Sequence, residues 1–402
     1  MKLFSIPSPC YVLEEEKFLK NLEILDSVQK NSGAKILLAL KGFAFFQSFG
    51  LAKKYLSGTT ASGIHEARLG YEEFGGREEG KEVCVFSPAY KEQEMEELVE
   101  IATHIIFNSF YQWQQFKHVI DKKNFILKKQ GKPSILIGLR LNPLYSEVSP
   151  AIYNPCIQGS RLGITPSEFE KGVKEFGLEG ITGLHFHTHC EQNSDALERT
   201  LVHFEKYFSK YIKKMQWVNF GGGHHITRKD YDLELLNQVI FNFKKRYDEI
   251  EVFLEPGEAV GWESGFLIGE VVDLVNNGLN IAILDISATA HMPDCLEMPY
   301  RPRARKLSKD FGEEKDLGEQ VGKYCYRFAG PSCLAGDVIG DYSFNTPLQR
   351  GDRIIFEDMI HYTIVKNTTF NGIPLPALGM IDKKEFRLLK SFGYLDYKNR
   401  NG

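Results

Sequence analysis

Apolar residues in the first 257 positions fall into eight short runs: KILLAL (35–40), GTTAS (58–62), EVCVFS (82–87), THIIFNS (103–109), SILIGLRLN (134–142), GITGLHFH (180–187), QWVNFGGG (216–223) and EVFLEPG (251–257). Between them lie stretches such as KEQEMEELVEIA and DALERTLVHFEKYFSKYIKK, whose apolar residues recur at three- and four-residue spacing, the mark of a helix with one buried face. Strand then helix, repeated through eight strands, predicts a closed (β/α)8 TIM-like barrel over residues 13–260. After Gly257 helical spacing nearly vanishes, and short alternating runs (FLIGEVVDLVNN, NIAILDIS, RIIFEDMIHYTIVKN) are punctuated by Gly, Pro and Asn. Residues 261–402 therefore read as a C-terminal antiparallel β-sandwich or barrel, with residues 1–12 added to it. The charged stretch 305–323 reads as a solvated loop. No internal repeat is visible.

Composition narrows the function classes. A chain of 402 residues that is 43% apolar can bury a large core. Its net charge of −4 is spread without any basic stripe, which argues against nucleic acid as a partner. No apolar run approaches the roughly 18 residues that span a bilayer, and the first residues lack the apolar centre of a signal peptide, so no membrane association and a cytoplasmic location are expected. Seven widely spaced cysteines without a C-x-x-C pair suggest reduced thiols, not a disulfide framework or structural zinc.

In a βα barrel chemistry collects at the C-terminal ends of the strands. LHFHTHCEQN (184–193) ends the sixth run and alternates His185, His187 and His189, which on an extended strand share one face and would suit a cation. With His224 and His225 they allow a metal-dependent barrel hydrolase, although no further acid and histidine set with ligand spacing stands at the other strand ends. Lys41 closes the first run; it is either a snorkelling surface lysine or a desolvated amine fit for a Schiff base. Gly221, Gly222 and Gly223 make either a plain turn or a cradle of N–H groups for a phosphate. Glu255 at the eighth strand end either caps the next segment or holds a proton on a ring nitrogen. Later, RFAGPSCLAGD (327–337) exposes Cys333 and Asp337, and Tyr362 is either a strand aromatic or a phosphate donor. A lysine, a stacking ring, a phosphate cradle and an acid at one barrel end are the parts of a pyridoxal phosphate site.

Taken in order, LALKGF, RLNP, SRLGI, LHFHTHC, NFGGG, LEPG, GPSC with Asp337, and YTIVKNTTFNG resemble the motifs of the alanine-racemase-like, fold-type III pyridoxal phosphate decarboxylases related to ornithine and diaminopimelate decarboxylase. The resemblance implies that Lys41 bonds the cofactor, His187 stacks on its ring, Glu255 faces the pyridine nitrogen, and Gly222, Gly223 and Tyr362 hold the phosphate. It also implies a homodimer with shared active sites, Cys333 coming from the partner subunit as a catalytic residue, and Arg161 pairing with Asp337 across the interface.

Two departures bear on the substrate. The family usually reads EPGR where this chain has Glu258, and the diaminopimelate enzymes read CESGD where this chain has GPSCLAGD. LKGF, HFHTHCE, FGGGHH, EPGEA and HMPDCLEMPYRP together resemble the carboxynorspermidine/carboxyspermidine decarboxylase branch, which implies removal of CO2 from an amino acid extended into a polyamine. A polycationic substrate favours carboxylates in its pocket, and Glu258, Asp294 and Asp337 are the substrate-binding candidates. Alternatives are a decarboxylase of diaminopimelate, ornithine or arginine, and a non-catalytic polyamine-binding homologue. No resident metal is expected.

Overall fold

The computed structural model describes residues 3–402, which divide into two units: the chain up to Lys20 together with Gly261–Gly402, and Asn21–Val260. The first strand, β1 (Cys10–Glu14), belongs to the former.

The Asn21–Val260 unit is the expected barrel. Its strands are β2 (Lys35–Ala39), β3 (Gly58–Ala61), β4 (Glu82–Phe86), β5 (His104–Phe107), β6 (Leu136–Arg140), β7 (Gly183–His185), β8 (Trp217–Asn219) and β9 (Glu251–Leu254). Each pairs in parallel with the next, and β9 returns to β2 to close the cylinder. Leu37, Cys84, Ile106, Trp217 and Phe253 fill its interior. The Trp217 indole fits because β6 and β7 carry Gly138 and Gly183 where it crosses them, and a methyl group at either would overlap the ring. Helices cover the outside, and their starts are readable: Ser109, Asn193 and Asp232 each accept a backbone N–H at the head of Phe110–Lys129, Ser194–Ile212 and Leu233–Arg246. At the opposite end from the strand tips, Lys35 bridges Glu82 (2.9 Å) and Glu251 (2.6 Å) and ties three strand starts together.

The other unit holds β10 (Gly265–Asn276), β11 (Asn280–Leu284), β12 (Ala304–Ser308), β13 (Gly312–Lys315), β14 (Tyr324–Ala329), β15 (Val338–Phe344), β16 (Arg353–Glu357), β17 (Ala377–Asp382) and β18 (Glu385–Lys390). With β1 they form one ten-stranded sheet in the order β13-β12-β16-β10-β1-β17-β18, with β11, β14 and β15 branching from β10. It curls around a core of Tyr11, Leu267, Leu284, Phe328, Tyr342 and Phe356. The antiparallel expectation is corrected to a mixed sheet, because β1 runs parallel to β17 and β11 parallel to β14. Neither pair is joined by a hairpin, so nothing local forces the antiparallel direction.

Two local expectations also change. The stretch read as a solvated loop over 305–323 contains the β12–β13 hairpin, where Arg305 meets Glu313 at 2.6 Å. Lys306 is fully buried, and its ammonium donates to the carbonyls of Thr346 (2.6 Å) and Pro347 (3.2 Å). Paired charges let a strand form where few apolar residues advertise it. Tyr362, in turn, is not on a strand: β16 ends at Glu357, and Tyr362 leads a short helical turn, Thr363–Lys366, with φ at 34°.

Candidate active site

The chemistry-bearing residues of the barrel unit converge at the C-terminal strand ends. Glu255 lies just past β9, buried, and its carboxylate accepts from Thr60 Oγ1 (2.9 Å), Asn219 Nδ2 (2.7 Å), Cys84 Sγ (3.7 Å) and His185 Nε2 (3.4 Å). Burial pushes its pKa up, but the hydrogen bonds from His185, Asn219 and Thr60 prevail and hold it at about 2. His185 is itself held below the ordinary imidazole range by burial, so it donates as a neutral ring and the carboxylate carries the charge.

Lys41 follows β2 and is exposed, yet the surrounding protein desolvates its amine and, with the Arg140 charge, lowers its pKa. An amine of lowered pKa at a strand end is the state that Schiff-base chemistry uses. Arg140, the last residue of β6, is buried against the Phe86 ring at 4.5 Å and donates to the His187 carbonyl at 3.3 Å. His187 is half-buried; burial, then the charges of Lys41 and Arg140, keep its ring neutral. Its Nδ1 accepts the Gly222 N–H at 2.9 Å, which fixes the ring plane. The Gly221 N–H goes to Asn219 Oδ1 at 2.8 Å. A methyl group at Gly222 would overlap the Glu255 carbonyl, and one at Gly223, where φ is +81°, would overlap the His189 carbonyl. The loop is thus pressed against its neighbours in a form only glycine adopts.

The shared histidine face is not observed. β7 stops at His185, and the three rings part: His185 turns to Glu255, His187 to the glycine loop, and His189 to Thr200 Oγ1 at 3.0 Å, beneath the covering helix. Among the described residues the one group able to hold a metal ion is instead Glu191, His225 and Glu258, whose ligand atoms lie within 4.8 Å of one another. Glu258 is therefore beside a second carboxylate, Glu191, that the motif comparison passed over. Thr60, Cys84, Asn219 and Arg140 were likewise not named as site residues, although Arg140 and Asn219 end their strands and so met the criterion that found Lys41 and Glu255.

In the sheet unit Cys333 is the exposed cysteine, its N–H held by Asn371 Oδ1 at 2.9 Å. Asp337 is buried among donors of its own unit. Its carboxylate is 3% exposed and is taken up by Ser287 Oγ (2.9 Å) and the N–H groups of Thr289 (3.3 Å) and Ser332 (3.2 Å), which shape the Cys333 loop. Asp294 is paired with the Lys366 ammonium, so its charge is already answered within its own unit. Tyr362 keeps its positive φ, an unusual state for an aromatic residue.

Residues 10–360 match the model of a family described as pyridoxal-dependent decarboxylase, C-terminal sheet domain. The chain belongs to the pyridoxal-dependent decarboxylases. Among this family's members it is 46% identical over 401 residues to the carboxynorspermidine/carboxyspermidine decarboxylase of Campylobacter jejuni, covering 98% of this chain and 99% of that one. It is 44% identical over 403 residues to the carboxyaminopropylagmatine decarboxylase of a Synechocystis strain, covering 100% and 97%. The crystal structure of the Campylobacter jejuni carboxynorspermidine decarboxylase complexed with norspermidine superposes with a TM-score of 0.84 over 98% of this chain and 100% of that one.

The decarboxylase's own residues fit pyridoxal phosphate: a strand-end lysine of lowered pKa, an ionised carboxylate in a cage of donors, and a glycine loop too tight for any side chain. Such a set could bond an aldehyde, hold a ring nitrogen's proton and receive a phosphate.

Proposed function

We propose that this decarboxylase removes the α-carboxylate of an amino acid whose side chain is a polyamine, acting on carboxynorspermidine, carboxyspermidine or both. The observation that carries this is the full-length 46% identity to the Campylobacter jejuni enzyme. The bound cofactor supplies the electron sink that accepts the pair left when the carboxylate departs as CO2. Lys41 Nζ, deprotonated more readily than a free lysine, is the amine that would hold the cofactor's aldehyde. Glu255, ionised, would hold a proton at the ring nitrogen, and His187, fixed by the Gly222 N–H, would pack against the ring. The Gly223 N–H receives the phosphate more freely than that of Gly222, which already donates to His187.

In the same reading the protein is a cytoplasmic homodimer, Cys333 of a second copy returns a proton to the substrate's α-carbon, and Tyr362 donates to the phosphate. Glu258, with Glu191 beside it, receives the substrate's distal cation; two neighbouring carboxylates suit an alkylammonium. Asp294, whose carboxylate is shared with Lys366, is the weaker substrate-binding candidate.

The Synechocystis relative supports a second reading, in which the distal group is a guanidinium and the substrate is carboxyaminopropylagmatine. Both readings share the amino acid head and differ only in the tail. CO2 release is the test of the chemistry, with Lys41→Ala as control: the variant is expected to lose both turnover and the absorbance of lysine-bound cofactor. Normal activity in Lys41→Ala contradicts the assignment.

A further inference from the structure

We propose that Asn219 is the positioning residue that joins Glu255 and the glycine loop into one rigid frame, holding the nitrogen end and the phosphate end of the cofactor site in register. This rests on the reading that Glu255 faces the ring nitrogen and the loop faces the phosphate. Asn219 is the last residue of β8 and is 1% exposed. Its one amide is used at both ends: Nδ2 donates to Glu255 Oε1 at 2.7 Å, and Oδ1 accepts the Gly221 N–H at 2.8 Å. Neither contact survives an amide flip, which would set oxygen against carboxylate and NH2 against N–H.

The main chain closes the circuit, because the Glu255 N–H donates to the Gly221 carbonyl at 2.8 Å. The next loop residue, Gly222, then fixes His187 through Nδ1. Acid, loop and covering ring are thus successive links from Asn219. Holding them in advance spares the bound state the cost of ordering them, and donors around a carboxylate set how strongly it holds a proton.

The test uses purified holoenzyme and reads the cofactor dissociation constant and the absorbance of bound cofactor against pH. Asn219→Asp keeps the acceptor for Gly221 but sets a second carboxylate against Glu255. It is expected to weaken cofactor binding by about tenfold and to shift the pH midpoint of the spectrum. Adding Glu255→Gln exchanges donor and acceptor across the same contact, so the double variant is expected to bind cofactor within about threefold of Glu255→Gln alone, without regaining turnover. If Asn219→Asp does not accumulate as folded protein, recovery of folded holoenzyme in the double variant is the same result. The proposal is overturned if Asn219→Asp binds cofactor with wild-type affinity and spectrum, or if its penalty is the same with and without Glu255→Gln. Normal turnover and spectrum in Glu255→Gln alone would instead overturn the reading of Glu255 beneath it.

Discussion

Glu258 shows what a single residue says when it breaks a family's pattern. Where the family's motif has an arginine, this chain sets a glutamate whose carboxylate lies with that of Glu191 and the His225 ring, their ligand atoms within 4.8 Å of one another, the grouping on which the proposed cation subsite rests. Because this contact lies away from the reacting carbon, Glu258→Gln is expected to raise KM about tenfold with kcat nearly unchanged. An unaltered KM would remove Glu258 from the substrate pocket. Lys41, His187 and Glu255 were legible because each closes an apolar run, where a barrel displays its chemistry. Glu191 was not, because it sits in a turn at φ 55° that no periodicity marks. The surroundings of Asp337 were not legible either: sequence shows a carboxylate, not the three donors that enclose it.

At the scale of elements, the alternation of apolar runs and amphipathic stretches was enough to place all eight barrel strands, since burial on both faces makes parallel strands continuous and apolar. Where β7 would end was not legible. The alternation of histidines continues past His185, but the chain leaves the ladder there to reach the glycine loop, with Gln192 N–H donating to the Gly223 carbonyl at 3.0 Å. That close approach makes a prediction. Gly223→Ala adds a methyl into the His189 carbonyl at a backbone angle alanine resists, and is expected to cost about 2 kcal/mol of stability and to release cofactor. Thermal melting and cofactor content after gel filtration check this, and wild-type values for both would mean the loop has room that the geometry denies. The β12–β13 hairpin escaped the sequence reading because its residues pair charge with charge, and apolar periodicity is blind to such strands.

For the molecule as a whole, buried neutral histidines set an acid limit on stability. Burial holds His224 and His291 at about 4, against roughly 6.5 when unfolded. Between those values the unfolded chain binds more protons than the folded one. The contribution is therefore complete above pH 6.5 and is lost as pH falls toward 4, at up to about 3 kcal/mol per histidine. His185, His187 and His189 act in the same direction. Urea unfolding at pH 7.5, 5.5 and 4.5 should show a steep decline, and a flat profile would contradict the burial argument. No helix among the described residues is long and apolar enough to cross a membrane.

The central claim, that a tailed amino acid is the substrate, is tested most directly by one set of kcat/KM values for CO2 release. Carboxynorspermidine, carboxyspermidine, carboxyaminopropylagmatine, diaminopimelate, ornithine and arginine would be measured side by side on the holoenzyme. The account predicts that carboxynorspermidine or carboxyspermidine exceeds the three short amino acids by about 100-fold or more, because a short substrate leaves the Glu191 and Glu258 carboxylates without the cation they would hold. A preference for carboxyaminopropylagmatine would select the guanidinium reading. Diaminopimelate, ornithine or arginine turned over as well as any tailed substrate would contradict the account.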